Sequence, residues 1–241
     1  MSRLDQPQQR FGTTREGAEN KESNDKKLLK LYRAGFPEPE QIFGYHGTSI
    51  EAIDALRRTG FYPGSSYEVE GERGMYIAPN TAQLPGVWMS RMVGIGLGSS
   101  EAEDFAKSSA QIHYVMKSLG IPFKTQYGGR FSAFLMQTLD GMRRTLEEKS
   151  NESLVKKFGK ERIEKVIQEA ENRRGVLLSI SKKVLEAYPV KVVEPVTEDL
   201  PNHDTAHLYI HTKTGVGIDY FNGLKALGDE EKKYFEALDV V

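Results

Sequence analysis

The chain has 241 residues, with 33 basic and 34 acidic side chains, a formal net charge of −1 and no cysteine. That length buries a substantial core in one large domain or two small ones, and the lack of cysteine removes disulfides, thiolate nucleophiles and cysteine-ligated zinc together. Mean hydropathy is −0.52, no apolar run approaches the roughly 18 residues of a membrane span, and the charge balance lacks the basic surplus of nucleic-acid binders. The first residues carry no apolar core of the signal-peptide kind, so the chain is expected to be made in the cytoplasm without a cleaved signal peptide.

Residues 1 to about 25 are polar and charged, with Leu4 and Phe11 as their only apolar anchors. They read as a disordered tail or a targeting signal, leaving 26–241 as the folded domain. Leu28, Leu29, Leu31 and Tyr32 predict a short helix, broken by Pro37 and Pro39. Ile42 to Tyr45 reads as a short strand. Ser49 is an N-cap signal for a helix whose apolar face is Ile50, Ile53, Ala55 and Leu56, with Gly60 as its stop. His46, Gly47 and Thr48 are thus expected in a strand-to-helix turn, where backbone N–H groups can meet a ligand.

Residues 61–74 read as a polar loop and Gly74 to Pro79 as a second strand. The glycine-rich 94–100 follows no clear strand, so it reads as a connection rather than a phosphate cradle. From about 100 to 173 the period is helical. Phe105, Ile112, Val115, Met116 and Leu119 mark one apolar stripe, expected as core. After Gly175 the period becomes that of strands: 175–181, 190–195, 206–212 and 216–221. A helix over 228–238 closes the chain. Strands at both ends around a helical block predict an α+β domain with a sheet built from both ends.

Three segments carry a resemblance. Gly44 to Thr48 (GYHGT), Gly74 to Ala78 (GMYIA) and Gly215 to Asn222 (GVGIDYFN) together resemble the histidine, tyrosine and acid segments of the diphtheria-toxin-like ADP-ribosyltransferases, nearest in motif to the exotoxin A-type toxins. The likeness covers about 43–78 and 175–222, and the helical block has no counterpart in it. It implies a split β-sandwich of the ADP-ribosyltransferase kind with a large helical insertion at about 100–173. It also implies NAD as co-substrate, no metal, and transfer of ADP-ribose to a macromolecular acceptor of the protein class by a toxin or effector secreted into a host cell.

The resemblance assigns roles residue by residue. His46 would donate to the adenine-side ribose. The backbone of Gly47 would pair with the nicotinamide amide, with no Cβ in the way. Thr48 would support the turn, and Tyr76 would stack on the nicotinamide ring. The second aromatic of the toxins falls at Val87, with Trp88 beside it as the proposed second wall. Asp219 would be the carboxylate that stabilises the oxocarbenium-like sugar.

The family has glutamate where Asp219 stands. An aspartate arm falls short by roughly 1 Å, and such a misplacement can cost on the order of 10²-fold in rate. Three readings stay open: a compensating backbone shift, an acid elsewhere (Glu194, Glu198 or Glu186), or an inactive NAD-binding or protein-interaction pseudoenzyme. Gly217 two residues earlier leaves no ExE pair, which argues against arginine as acceptor. The near-neutral charge argues against nucleic acid.

Other constellations are weaker. His203, His207 and His211 have the spacing of a helical zinc site, but the stretch reads as a strand, where His207 and His211 stand about 13 Å apart. No serine has GxSxG around it. The acid pairs Glu147–Glu148 and Glu230–Glu231 read as solvated helix faces.

Overall fold

The computed structural model describes residues 15–62, 65–69, 72–79, 98–120, 139–145, 152–193, 207–212 and 215–239. Helix α1 (Arg15–Ala34) leads through a 3-10 turn at Pro39–Gln41 into β1 (Ile42–Thr48), α2 (Ile50–Thr59), β2 (Phe61–Tyr62), β3 (Ser65–Val69) and β4 (Glu72–Pro79). The helical block holds α3 (Gly98–Leu119), α4 (Leu139–Thr145), α5 (Glu152–Phe158) and α6 (Lys160–Ala170). Then come β5 (Val176–Ser181), the single turn α7 (Val184–Ala187), β6 (Val190–Val193), β7 (His207–Thr212), β8 (Val216–Gly217), a 3-10 turn at Ile218–Tyr220, β9 (Phe221–Ala226) and α8 (Asp229–Asp239).

The strands form one seven-stranded sheet in the order β6-β7-β4-β1-β5-β9, with β3 also paired to β4, and a separate β2–β8 pair. Every pairing is antiparallel. The protein is therefore mixed helix and sheet, and the sheet draws on both ends of the chain, as the strand pattern predicts.

Strand β5 explains the layering. Val176, Leu178 and Ile180 point into one core with Leu28 of α1, Ile53 and Leu56 of α2 and Phe235 of α8. Leu177 points to the opposite face, against Ala102 of α3. A strand covered on both faces needs a near-continuous apolar run, and VLLSIS supplies it. The second half of α3 leaves the sheet and joins a different core, where Val115, Met116 and Leu119 pack with Met142, Ile163, Val166 and Ile167. One long helix thus belongs to both cores.

The helix α2 forms as its signals predict. Ser49 caps it by accepting from the Ala52 N–H at 3.4 Å. Gly60 ends it at φ 75°, with its N–H donating to Leu56 O. That left-handed conformation favours glycine.

Several expectations need correction. The tail boundary near residue 25 is too late, because α1 begins at Arg15. Its middle is anchored: Asn24 is buried and donates to Arg57 O at 3.0 Å, and Asp25 faces Arg57 at 3.6 Å. His46, Gly47 and Thr48 are not in a turn but inside β1, because β5 pairs with the strand through Thr48. The 61–74 stretch is not only loop, since it holds β2, β3 and the start of β4. The strand expected at 216–221 is interrupted by the 3-10 turn. Helices α5 and α6 break at Gly159. Phe105 is 50% exposed rather than core. Glu231, expected in solvent, is buried in the first turn of α8 and accepts from the Arg174 N–H at 3.4 Å. A carboxylate there lies at the positive end of the helix dipole.

Candidate functional site

The site residues lie where two strands part. On one edge of β1, β5 runs beside His46, Gly47 and Thr48, opposite Leu178, Leu177 and Val176. On the other edge β4 pairs only through Gly44–Pro79 and Tyr45–Ala78. The same register, continued, would set His46 beside Ile77 and Gly47 beside Tyr76. The β1–β4 register stops before those pairs, while on its other edge β4 pairs Tyr76 and Ile77 with Tyr209 and Leu208 of β7. Beyond Tyr45, then, β4 stays with β7 while β1 stays with β5. Among the described residues no strand takes the place of β4 beside His46–Thr48.

Alternation along β1 sends its side chains to two different places. His46 and Thr48 point into the main core, where both are buried. There they meet one hydroxyl: Tyr62 Oη lies 2.8 Å from His46 Nε2 and 2.6 Å from Thr48 Oγ1. The His46 and Tyr62 rings stand edge to face, with centroids 4.8 Å apart. Burial pushes the Tyr62 phenol up to about 12, against a smaller opposing effect of the Thr48 hydrogen bond. The hydroxyl therefore keeps its proton at every physiological pH.

Gly47 points the other way, at α3. A Cβ there would overlap Ala102 O and Ala106 N, so only glycine lets the helix backbone rest on the strand. Ala102 and Ala106 are themselves fully buried. The glycine thus has a packing cause that holds with or without a ligand. One residue before Ala106 stands the exposed Phe105, on the helix that covers Gly47.

Ser49, just beyond the strand, is buried and hydrogen-bonds His113 Nδ1 of α3. Desolvation lowers the His113 imidazole to about 4, so it is neutral near pH 7. Ser49 already caps α2, so the pair reads as a clasp between α2 and α3.

Asp219 sits on the 3-10 turn between β8 and β9, with its side chain 73% exposed. Lys27 of α1 approaches it at 2.7 Å to Oδ1 and 3.0 Å to Oδ2. An exposed pair of this kind is worth at most about 1 kcal/mol, so the carboxylate is readily released. The turn is tied to the His46 network through the small sheet. Tyr62 pairs with Val216, Phe61 pairs with Gly217, and Ile218 N donates to Gly60 O at 2.9 Å.

The structure thus brings His46, Thr48 and Tyr62 into contact, ends the β1–β4 register at Tyr45–Ala78, two residues short of Gly47 and of Tyr76, and holds Asp219 beyond the strand that pairs with Tyr62. Glu186 lies exposed on α7. Trp88, Glu194, Glu198, His203 and Glu147–Glu148 lie outside the described residues. Among the described residues no group of three or more His, Cys, Asp or Glu could hold a metal ion.

Sequence reasoning missed Tyr62, because a two-residue strand is too short to show a period. It missed His113 because a single histidine in a helical stripe carries no signal of its own. Phe105 was legible only as one member of that stripe.

Compared with protein-family models, with curated proteins and with solved structures, the chain finds no match.

Proposed function

We propose that the chain is an NAD-dependent mono-ADP-ribosyltransferase with a protein acceptor, built as a split sheet with a helical insertion. The observation that carries the reading is the parting of β1 from β4 at His46–Gly47, with Tyr76 on the opposite strand. It coincides with the three residues for which the GYHGT and GMYIA segments resemble the toxin enzymes. A strand edge at Gly47 would offer its main chain to a planar amide within the plane of the sheet, since the α3 backbone fills the space above the glycine.

In this reading the bond between the nicotinamide nitrogen and the ribose C1′ breaks, and nicotinamide leaves with the electron pair. A nucleophile of the acceptor protein forms the new bond to C1′ and gives up its proton. His46 holds the ribose, the Gly47 backbone holds the amide, Thr48 and Tyr62 hold His46, and Tyr76 stacks on the ring. Asp219 supplies the negative charge for the developing cation. Phe105, exposed on the helix over Gly47, competes with Trp88 for the role of second aromatic wall. Delivery into a host cell as a toxin or effector belongs to the same reading.

One observation favours a second reading, an NAD-binding domain without turnover. Asp219 is the shorter acid and its carboxylate is engaged by Lys27.

The test is nicotinamide release from NAD by the purified protein, with a cell lysate as source of acceptor. Turnover in the parent, lost in His46→Ala and Asp219→Ala, supports the transferase and makes Asp219 its acid. Activity that survives Asp219→Ala moves the acid to Glu194, Glu198 or Glu186. NAD binding without nicotinamide release selects the inactive domain, and no NAD binding at all rejects both readings.

A further inference from the structure

We infer that Tyr188 is a positioning residue for Asp219: its hydroxyl stands in for a third strand beside β8 and so braces the turn that carries the acid. The catalytic part of this rests on the reading of Asp219 given above. Strand β8 is two residues long, and β2 takes one of its edges, where Phe61 pairs with Gly217 and Tyr62 with Val216. Along an extended chain, the C=O of one residue and the N–H two residues on face the same edge. On the edge away from β2 those groups are Gly215 C=O and Gly217 N–H. Tyr188 Oη accepts from the Gly217 N–H at 3.2 Å and donates to Gly215 O at 3.3 Å. A phenol has one proton to donate and lone pairs to accept with, so one hydroxyl meets both groups. Gly215 is buried and Gly217 half-buried, so water is a poor substitute at that edge.

The same tyrosine grips the far side of the acid. Its ring stands edge to face with Tyr220, with centroids 5.1 Å apart. Asp219 lies between these two holds, two residues after Gly217 and one before Tyr220. Inside the segment Ile218 is buried, and its N–H donates to Gly60 O at 2.9 Å. The start of the segment is fixed by Gly215 at φ 99°, where a Cβ would run into Tyr62 O. Tyr188 has an anchor of its own, since its N–H donates to Val184 O at 3.0 Å and Val184 is fully buried.

The turn matters because the carboxylate has little else to place it. The side chain is 73% exposed, and an exposed pair with Lys27 is worth at most about 1 kcal/mol. Aspartate also has one rotatable bond fewer than glutamate, so its rotamers correct less of a main-chain displacement. Where the charge stands against a developing cation is therefore set by the main chain. Misplacement of roughly 1 Å can cost on the order of 10²-fold in rate. Loss of one hold on the turn moves the acid less than that.

Two measurements on the full-length protein test this, with Tyr188→Phe, which keeps the ring on Tyr220 and removes the hydroxyl. The first needs no ligand: hydrogen exchange of the Gly217 amide by nitrogen–proton spectroscopy. Slow exchange is expected in the parent, and Tyr188→Phe is expected to speed it on the order of tenfold, more than it speeds the Ile218 amide. A Gly217 amide that exchanges in the parent as in an open chain overturns the brace, and this holds even if Tyr188→Phe fails to fold. An amide unmoved by Tyr188→Phe overturns it as well.

The second is nicotinamide release per bound NAD, with the bound NAD counted by calorimetry so that unfolded protein does not register as a loss. Tyr188→Phe is expected to lower kcat on the order of tenfold, to leave NAD affinity unchanged, and to lower kcat no further in the Asp219→Asn background. An equal loss in both backgrounds, or no loss in the parent background, overturns the positioning role. A parent without turnover rejects the transferase reading and with it any action of Tyr188 on catalysis, whereas the exchange rates still decide whether its hydroxyl braces the turn.

Discussion

The hydroxyl of Tyr62, which follows helix α2 in the chain, lies 2.8 Å from Nε2 of His46, which precedes it, and both residues are buried. The two residues belong to different sheets, β1 in the large one and β2 in the small one. Their contact binds the sheets together at the place where β1 loses β4. The stability of the candidate site is therefore tied to one oxygen atom.

Removing that oxygen leaves His46 Nε2 and Thr48 Oγ1 buried without it. Tyr62→Phe should cost about 1–3 kcal/mol of folding stability, and Thr48→Val a similar amount. The double variant should cost less than the sum, since the second substitution removes a polar group that the first had stranded. Urea unfolding of the four proteins measures this. Additive losses would mean that the two hydroxyls are not energetically coupled.

Gly47→Ala drives a Cβ into the backbone of α3 at Ala102 and Ala106. Backbone cannot rotate aside as a side chain can, so a loss of about 1–3 kcal/mol or more is expected. Gly120→Ala is the comparison. It lies at φ 68° with nothing within 4 Å of the added atom, so only the backbone conformation resists it. That costs about 1–2 kcal/mol. Melting temperatures should rank Gly47→Ala below Gly120→Ala, and the reverse order contradicts the packing account of Gly47.

His113 makes stability depend on pH. Its folded value is lowered to about 4 from 6.5, so the native state keeps it neutral while the unfolded chain takes up a proton below about 6.5. Between those values the unfolded state binds more protons, and stability falls as the pH falls. The contribution is whole above about pH 6.5, declines toward pH 4 and is flat below. The loss is on the order of 1–3 kcal/mol. The Ser49 hydroxyl faces it, and the Glu51–Lys117 pair also joins α2 to α3. Unfolding free energies from pH 7.5 to 4.5 should drop less steeply in His113→Gln than in the parent.

Lys27→Met separates the surface role of Asp219 from its chemical one. The pair is exposed, so folding stability should change by less than about 1 kcal/mol. If Asp219 acts on NAD, release of its carboxylate from Lys27 should leave nicotinamide turnover intact or raise it, whereas Asp219→Ala should lower it on the order of 10²-fold. A fall in turnover with Lys27→Met would mean that the lysine works with the acid rather than against it.

Much of this protein was legible locally. The α2 cap at Ser49 and its stop at Gly60 follow from side-chain and backbone chemistry within one turn, and no distant contact is needed to form them. The β5 run was legible because burial on both faces asks for an apolar run, with Ser179 as its one buried polar residue. The pattern of strands at both ends around a helical block reported the α+β class, since a period of two or of 3.6 is set by the backbone alone.

Tertiary structure decided the rest. His46, Gly47 and Thr48 read as a turn because they are polar or small. They are strand because β5 pairs with them and because α3 needs a residue without a side chain at Gly47. Tyr62 reads as part of a loop and becomes the partner of His46 only when β8, from the far end of the chain, fixes β2 in place. Phe105 shares the period of core residues, but period tells which face a side chain takes, and only the neighbours tell whether that face is covered. Sequence determined elements such as α2 and β5, whose causes are near in the chain. Which edges part, which hydroxyl meets which histidine and which aromatic stays in solvent depend on residues brought together from far apart, and no local pattern records them.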